Sequence, residues 1–320
     1  MKISVLGPGR WGSFLAWYLA RIHAEVMIYG REGSATLEAL RRDRKNEYVT
    51  LPESVSFTTS LEEALGFAET VVISVGTQQL DRLAKSIAAV EGYEKKEYIL
   101  CMKGIETESG RRLSEILTDA LGKDTRFAIW VGPGHAEDFT KGIPNCMLIS
   151  SPDPALARDL CARFASPLIR FYSSSDLVGC EIGAAAKNVI GIAAGILDGI
   201  GYSSLKGALM ARGPREIARL ASAMGGDERS IFGLCHLGDY EATLFSSHSH
   251  NRRFGECFAR GEGYDKLAEG VYTVKALMVL KERYGVSLPI CTAIYRAVHE
   301  GADIAEEMAG LFLREQKEEF

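Results

Sequence analysis

The chain has 320 residues, which is enough for about two domains. Hydrophobic residues make up 47% of it and charged residues 25%, a balance that is typical of a globular protein and argues against a disordered or fibrous one. The formal net charge of −5 does not favour a nucleic-acid partner, so we expect none, and local basic residues must hold any anionic ligand.

Seven cysteines are present, an odd number without a CxxC pair. Free cysteines in apolar segments are typical of the reducing cytoplasm, so we expect no disulfide and no metal site. The chain shows neither a signal peptide nor an apolar run of the 18 or so residues that a membrane span needs. We therefore expect a cytoplasmic protein without stable membrane insertion.

The first half of the chain alternates strand-like and helix-like segments. A helix is predicted at 10–22, where apolar residues recur at helical spacing. Buried strands are predicted at 2–6, 25–29, 70–75, 97–102, 126–131, 146–150 and 168–172. This alternation predicts an α/β fold, a doubly wound parallel sheet covered by helices on both faces.

The pattern changes after about residue 175, where the strand signals stop. Helices are predicted at 175–200, 205–224 and 269–284, and Pro214 predicts a kink or a restart in the second of them. We therefore predict two domains, a nucleotide-binding domain at 1–174 and an all-helical domain at 175–320.

A glycine-rich loop, Gly7-Pro8-Gly9-Arg10-Trp11-Gly12, lies between the first strand and the first helix. It fits the G-x-G-x-x-G pattern in the required context. Gly7 permits a tight turn, Gly9 lets the backbone approach a pyrophosphate, and Gly12 lets helix and strand pack closely. The loop predicts a bound nicotinamide dinucleotide, with a tight turn that holds no ligand as the alternative.

The type of cofactor depends on the end of the second strand, which reads Ile28-Tyr29-Gly30-Arg31-Glu32. Arg31 is suited to pair with a 2′-phosphate, which favours NADP, whereas Glu32 would serve NAD if the register is shifted by one residue. A solvated loop arginine is the third interpretation. We expect NADP or NAD, with NADP slightly favoured.

One helical segment, 181–195, is nearly all apolar or small but carries Lys187 at its middle. A helix that is apolar all round is buried, and a buried lysine is rarely unpaired. Gly183 and Gly191 share the lysine's face, so we expect that face to line a small-ligand cavity, with close helix packing as the alternative. A desolvated lysine can act as a general acid or base near neutral pH and can protonate a ketone oxygen during reduction.

A basic stretch at 248–253, His-Ser-His-Asn-Arg-Arg, is predicted to form a polar loop between helices. A phosphate substrate needs charge-assisted donors of this kind, although a solvated basic turn has the same composition. His248 and His250 lack a third ligand at a supporting spacing, so a metal site is not expected.

Six stretches in this order resemble the bacterial type of NAD(P)-dependent glycerol-3-phosphate dehydrogenase. They are residues 7–12, 103–106, 132–137, 186–190, 237–239 and 251–255, and the resemblance runs from about Ile3 to about Gly301. It implies reversible oxidation of glycerol 3-phosphate to dihydroxyacetone phosphate, which feeds phospholipid synthesis. It also implies a Rossmann-type domain, a helical domain like the C-terminal domain of 6-phosphogluconate dehydrogenase, and a homodimer.

The resemblance also implies roles for individual residues. Lys187 is the proton acceptor in the oxidation direction, Lys103 lies between cofactor and substrate, and Asp239 orients the lysine; these three form the catalytic set. The implied substrate contacts are Lys103, Gly132, Gly134, Lys187, Asp239, Ser249, His250, Asn251 and Arg252. The implied and predicted cofactor contacts are Gly7, Gly9, Arg10, Trp11, Gly12, Arg31, Lys103, Ala136, His250 and Glu269.

Several positions depart from the family pattern. His250 stands where the family usually has arginine, so Arg252 would have to compensate or phosphate binding would be weaker and pH-dependent. Gly134 stands where a hydroxyl residue is usual, Met102 replaces a small hydroxyl residue, and the usual asparagine near residue 204 is missing. Two alternatives therefore remain open: a reductase of the same architecture for another small ketone, and a non-catalytic dinucleotide-binding protein.

Overall fold

The computed structural model describes residues 1–313, 315 and 318. The chain divides into two compact units. Unit one contains Met1–Lys103 and Arg111–Leu177, and unit two contains Gly104–Gly110 and the chain from Val178 onward. The single predicted boundary between residues 174 and 175 does not account for the short 104–110 segment.

Unit one is built on an eight-stranded sheet with the order β3-β2-β1-β4-β5-β6-β7-β8. The strands are β1 Lys2–Leu6, β2 Glu25–Tyr29, β3 Ser56–Thr58, β4 Thr70–Ile73, β5 Glu97–Leu100, β6 Arg126–Val131, β7 Asn145–Ser150 and β8 Ile169–Ser174. The doubly wound α/β fold is confirmed, and all seven predicted strands are present. Two expectations were wrong in detail, because β3 was missed and β6 pairs with β7 in the antiparallel direction.

The helices of unit one bury their apolar faces against this sheet. They are α1 Arg10–Arg21, α2 Ala35–Asp43, α3 Leu61–Phe67, α4 Leu80–Ala88, α5 Leu113–Leu121, α6 Ala136–Thr140 and α7 Pro154–Phe164. Stacked aromatic rings lie in this packed core. The ring centres of Phe14 in α1 and Phe139 in α6 are 5.1 Å apart, and those of Trp130 in β6 and Phe164 in α7 are 5.5 Å apart. The first contact packs α1 against α6, and the second packs α7 against the sheet.

Unit two is helical, and no strand is assigned among its described residues. Its helices are α8 Leu177–Gly199, α9 Lys206–Ala223, α10 Glu228–Ile231, α11 His250–Ala259, α12 Glu269–Tyr284, α13 Pro289–Glu300 and α14 Ile304–Phe312. Helix α9 continues through Pro214 without restarting. The segment 104–110 belongs here because Ile105 joins the helical core and the Ser109 carbonyl accepts a hydrogen bond from Arg283 Nη2 at 2.6 Å.

Helix α8 forms the centre of unit two. It is the one described helix that is long and apolar enough to cross a membrane, with a mean hydropathy of 1.4, so the expectation of no such segment was wrong. All of its apolar window is nevertheless buried inside the protein, as in the core helix of a globular fold. The predicted burial of the lysine helix is therefore confirmed.

The glycines of α8 serve close packing, and the predicted small-ligand cavity on their face was wrong. A Cβ atom on Gly183 would lie 3.0 Å from Cys235 Sγ, and one on Gly191 would lie 2.8 Å from Thr243 Cγ2. Both distances are shorter than ordinary contact, so the segment after α10 rests directly on the helix. Because Lys187 lies between the two glycines, the same packing brings that segment to the lysine.

Candidate active site

The glycine-rich loop after β1 needs its three glycines for different reasons. Gly7 has φ +118°, and a Cβ atom there would lie 2.2 Å from the Ser74 carbonyl oxygen. A Cβ atom on Gly12 would lie 1.9 Å from the Gly7 carbonyl oxygen, whereas one on Gly9 meets nothing within 4 Å. The protein's own packing thus requires Gly7 and Gly12, and the space in front of Gly9 is open.

The start of α1 fits the pyrophosphate of a dinucleotide. Gly9 is the N-cap, no side chain caps the helix, and the first turn has no acidic residue. The N–H groups of that turn and the helix dipole therefore present a positive site at the open face of Gly9. These features are what a dinucleotide-binding turn requires.

Arg10 is held in place by a residue far away in the chain. Its Nη2 atom donates to both carboxylate oxygens of Glu137 at 2.7 Å, and its guanidinium lies 4.9 Å from the centre of the Tyr48 ring. Burial opposes ionisation of Glu137, but the Arg10 guanidinium holds its pKa below the ordinary value. Ala136 begins α6 beside Glu137, so two of the implied cofactor residues, Arg10 and Ala136, lie close together.

Trp11, which the resemblance implies as a cofactor contact, and Arg31, which the end of the second strand predicts as one, lie at the surface of unit one. Trp11 is half-buried and its ring centre lies 4.7 Å from that of Phe14. Arg31 is exposed in the turn between β2 and α2, and Ser34 is the N-cap of α2. Arg31 thus lies on the solvent side of the turn where the sequence predicts 2′-phosphate recognition.

Lys103 follows β5 and reaches the end of β6. Its Nζ atom donates to the Gly132 carbonyl oxygen at 2.8 Å, so these two implied substrate residues lie together. Gly134 has φ +138°, and a Cβ atom there would lie 2.4 Å from the Phe139 ring. The ring therefore occupies the space in which a hydroxyl side chain at residue 134 would lie.

Lys187 is buried at the centre of unit two, with 8% of its surface exposed. Its Nζ atom lies 2.8 Å from Asp239 Oδ2 and donates to Thr243 Oγ1 at 2.8 Å. Asp239 follows α10 in a 3₁₀ turn, and Thr243 lies in the π-helical turn Glu241–Phe245. Such π turns widen the helix and often occur at functional sites.

Sequence reasoning missed Thr243 and also His236, which lies behind the lysine. His236 is fully buried and its Nδ1 atom is 2.8 Å from the Gly183 carbonyl oxygen. Burial lowers the pKa of His236 to about 4, against the effect of its hydrogen bond to Gly183, so the ring is neutral at neutral pH. The position of Thr243, four residues after Asp239 and therefore near the same face of a turn, is the one local signal that pointed to it.

The basic stretch is the start of a helix, where a loop was predicted. Helix α11 begins at His250, and Ser249 caps it by accepting a hydrogen bond from the Arg252 N–H at 3.3 Å. His250 Nδ1 lies 2.6 Å from the hydroxyl oxygen of Tyr264. The predicted phosphate-facing residues Ser249 and His250 are therefore at a helix N-terminus, which favours an anion.

Arg252 forms ion pairs with two carboxylates of the protein itself. Its Nη1 atom lies 2.7 Å from Asp198 Oδ2 and 3.0 Å from Glu256 Oε2, and its Nε atom donates to the Ser246 carbonyl oxygen. A guanidinium held in this way does not support the expectation that Arg252 compensates for His250.

Asn251 joins two helices of unit two. Its Oδ1 atom accepts a hydrogen bond from the Gly270 N–H at 2.9 Å, in the first turn of α12. Helix α12 begins at Glu269, a half-buried residue for which the resemblance implies a cofactor contact. The structure thus brings Asn251 to the N-terminal turn that carries Glu269.

The described residues contain no group of three or more His, Cys, Asp or Glu side chains that could hold a metal ion. All seven cysteines are free thiols. Burial raises the pKa of the Cys161 thiol to about 11, so this thiol is protonated at neutral pH.

Comparison with known proteins places these residues in a family. The family model described as NAD-dependent glycerol-3-phosphate dehydrogenase N-terminus matches residues 2–157, and the model of the C-terminus matches residues 176–309. The chain is 37% identical to glycerol-3-phosphate dehydrogenase [NAD(P)+] of Chlorobium limicola, over 100% of this chain and 99% of that one. It is 34% identical to the enzyme of that name from Photobacterium profundum, over 100% and 98% of the two chains. A crystal structure of glycerol-3-phosphate dehydrogenase from Coxiella burnetii has a TM-score of 0.90 and 26% identity, with coverage of 98% and 99%. The chain therefore belongs to the NAD-dependent glycerol-3-phosphate dehydrogenase family.

Proposed function

We propose that this protein is an NAD(P)-dependent oxidoreductase that interconverts glycerol 3-phosphate and dihydroxyacetone phosphate, with Lys187 as its general acid and base. The observation that carries the proposal is the buried ammonium of Lys187, 2.8 Å from Asp239 Oδ2 and 2.8 Å from Thr243 Oγ1, in a chain of this family. A buried lysine needs partners, and the carboxylate and hydroxyl both orient it.

The reaction needs a proton as well as a hydride. A bound nicotinamide dinucleotide would supply or accept the hydride. We place the pyrophosphate of this cofactor at the open face of Gly9, at the start of α1. In the reduction direction Lys187 donates a proton from Nζ to the ketone oxygen and stabilises the negative charge that develops there. In the oxidation direction the neutral amine accepts the proton of the alcohol, and Asp239 stabilises the ammonium that results.

The phosphate of the substrate is assigned to the start of α11. Ser249 and His250 lie at the N-terminus of a ten-residue helix, where backbone N–H groups and the helix dipole favour an anion. The hydrogen bond between His250 Nδ1 and the Tyr264 hydroxyl fixes the orientation of the imidazole ring. Lys103, which bonds to the Gly132 carbonyl oxygen, is the proposed substrate contact of unit one.

The domain limits, the oligomer and the compartment complete the proposal. We place a nucleotide-binding domain at 1–174, apart from the segment 104–110, which packs with the helical unit, and a helical substrate domain at 175–320. The protein is proposed to be a cytoplasmic homodimer, and light scattering should then give a mass in solution near twice 34.9 kDa.

The test is steady-state reduction of dihydroxyacetone phosphate with NADPH and NADH side by side. Dihydroxyacetone, which lacks the phosphate, and a set of 2-keto acids serve as comparison substrates. We expect the phosphorylated ketone to have a kcat/KM at least about 100-fold above the others, since charge-assisted contacts to a phosphate contribute several kcal/mol. Preference for a non-phosphorylated ketone would contradict the proposal and would favour the second candidate, a reductase of another substrate. The departures from the family pattern at Gly134 and His250 are the reason to consider this second candidate. Binding of NADPH without turnover of any ketone would indicate a non-catalytic protein.

A further inference from the structure

Behind the lysine of unit two lies a buried polar pair, His236 and Tyr240, for which the proposed reaction gives no role. His236 has no exposed surface and Tyr240 has 1%. The Tyr240 hydroxyl oxygen lies 2.7 Å from His236 Nε2, and His236 Nδ1 lies 2.8 Å from the Gly183 carbonyl oxygen. Burial of two polar side chains is costly, so a pair that is retained in the core needs an explanation.

The hydrogen-bond directions in this pair follow from its partners. A carbonyl oxygen can only accept, so Nδ1 of His236 carries the proton and donates to Gly183. Nε2 is then an acceptor, and the Tyr240 hydroxyl donates to it. Tyr240 thus selects the one tautomer in which His236 can bond to the backbone of α8.

The pair joins the two elements that hold the lysine and its carboxylate. Gly183 lies four residues before Lys187, and in an α-helix its carbonyl also accepts the N–H of Lys187. His236 and Tyr240 flank Asp239 in sequence, three residues before it and one after it. The imidazole is therefore a direct bridge between the turn that carries Lys187 and the turn that carries Asp239.

The Tyr240 hydroxyl also lies close to the backbone of α9. A Cβ atom on Gly213 would lie 3.0 Å from the Tyr240 hydroxyl oxygen, so α9 has a glycine where the hydroxyl approaches. Cys291 and Glu216 interact electrostatically with Tyr240, and Lys187 and Asp239 interact electrostatically with His236. Glu216 is itself fixed, because its carboxylate accepts the N–H groups of Ile290 and Cys291 at 2.8 Å each.

We propose that His236 is a positioning residue that aligns Asp239 with the Lys187 ammonium, and that Tyr240 acts through His236 by fixing its tautomer. This inference rests on the proposed role of Lys187 in proton transfer. Without the bridge, the turn that contains Asp239 keeps the contacts of Lys187 to Asp239 and Thr243 and the packing at Gly183 and Gly191, but it loses the hydrogen bond of His236 to the α8 backbone. The distance and angle of the ion pair then vary, and the ammonium is less well aimed at the substrate oxygen.

The kinetic test compares Tyr240→Phe, His236→Asn and His236→Leu with Tyr18→Phe as the matched control. Tyr18 is a buried tyrosine of unit one whose hydroxyl donates to the Phe164 carbonyl oxygen at 2.5 Å, so this change removes the same kind of bond elsewhere. We expect Tyr240→Phe and His236→Leu to lower kcat for dihydroxyacetone phosphate by at least about 10-fold, with KM changed less than about 3-fold. The alkaline limb of the kcat–pH profile should move to lower pH, because an ammonium whose carboxylate partner is displaced is deprotonated more easily. His236→Asn keeps an N–H donor near the position of Nδ1 and should recover part of kcat.

A second readout does not need turnover. Acetic anhydride modifies amines, and mass spectrometry of the digested protein gives the rate at which Lys187 is acetylated at a fixed pH. We expect Tyr240→Phe and His236→Leu to raise this rate at least about 5-fold and Tyr18→Phe to leave it unchanged, because a neutral, mobile amine reacts faster.

The two readouts separate the two proposals. If the wild-type protein does not reduce dihydroxyacetone phosphate, the proposed function fails, and the acetylation rates still decide whether His236 positions Lys187. Suppose instead that the wild-type protein is active and that Tyr240→Phe retains kcat within about 2-fold, with an unchanged pH profile and an unchanged acetylation rate of Lys187. The positioning role is then overturned. If the His236 variants do not fold, Tyr240→Phe, which removes a single oxygen atom, decides the question alone.

Discussion

Replacement of Gly191 by alanine is expected to reduce turnover far more than it reduces stability. The added Cβ atom would lie 2.8 Å from Thr243 Cγ2, so the two carbons must separate by about 1 Å to reach ordinary contact. Thr243 can respond by moving away or by rotating about χ1. Either response carries Oγ1 away from Lys187 Nζ, from which it is now 2.8 Å, and breaks that hydrogen bond.

The magnitudes favour an effect on catalysis. Overpacking of a core costs about 1–3 kcal/mol, and the higher helix propensity of alanine returns about 1 kcal/mol, which leaves a net loss of roughly 0–2 kcal/mol. A displacement of about 1 Å near a reacting group can lower kcat about 100-fold.

The assay pairs steady-state reduction of dihydroxyacetone phosphate with thermal unfolding. Gly207→Ala is the matched control, because Gly207 also lies in a helix but its Cβ atom would meet nothing within 4 Å. We expect Gly207→Ala to keep full activity. If the Gly191→Ala protein is folded and retains kcat within about 3-fold, close packing at Gly191 is not what aligns Thr243 with Lys187.

Three further predictions concern the cofactor and the core. Gly9→Ala should leave the unfolding temperature unchanged, because the added Cβ atom meets no protein atom within 4 Å. The same variant should bind NADPH at least about 10-fold more weakly in a fluorescence titration. Unchanged binding would contradict the placement of the pyrophosphate. Arg31→Ser should raise KM for NADPH at least about 10-fold and leave KM for NADH nearly unchanged, whereas equal effects on both would show that Arg31 does not read the 2′-phosphate. His236 has a folded-state pKa of about 4, below the ordinary value of 6.5, so the unfolded chain takes up its proton first as the pH falls, and stability is lost between those two values. Urea unfolding of the wild type should therefore lose on the order of 2 kcal/mol from this group between about pH 7 and about pH 5, and His236→Asn should reduce the loss by that amount; an identical pH dependence in the variant would exclude His236 as its source.

The sequence predicted the features that depend on short stretches of chain. The strand ending at Leu6, the turn through Gly7 and the helix from Arg10 follow from local apolar periodicity and from glycine chemistry, and the structure has all three. The three-residue strand β3 is too short to show a period. The direction of β7 against β6 is absent from the local pattern, because a buried strand has the same apolar run in either direction.

The parts of the candidate site that the sequence did not reveal depend on contacts between distant residues. Arg10 and Glu137 are 127 residues apart, and nothing in either stretch predicts their ion pair. Lys187 and Thr243 meet only because a separate segment packs on α8. The face of α8 was misinterpreted because small residues beside a lysine are equally consistent with a cavity and with close packing.

The central claim, that Lys187 transfers the proton, is tested most directly by its replacement with an uncharged side chain of similar length. Lys187→Met should lower kcat for dihydroxyacetone phosphate reduction by about 10²–10⁴-fold, the usual range for loss of a general acid, while Kd for NADPH stays within about 3-fold. Because Asp239 is buried and would be left without the ammonium beside it, Lys187→Met combined with Asp239→Asn serves as the folded control. Loss of turnover with retained NADPH binding in both proteins is the predicted result. Turnover within about 10-fold of the wild type in either protein would contradict the account.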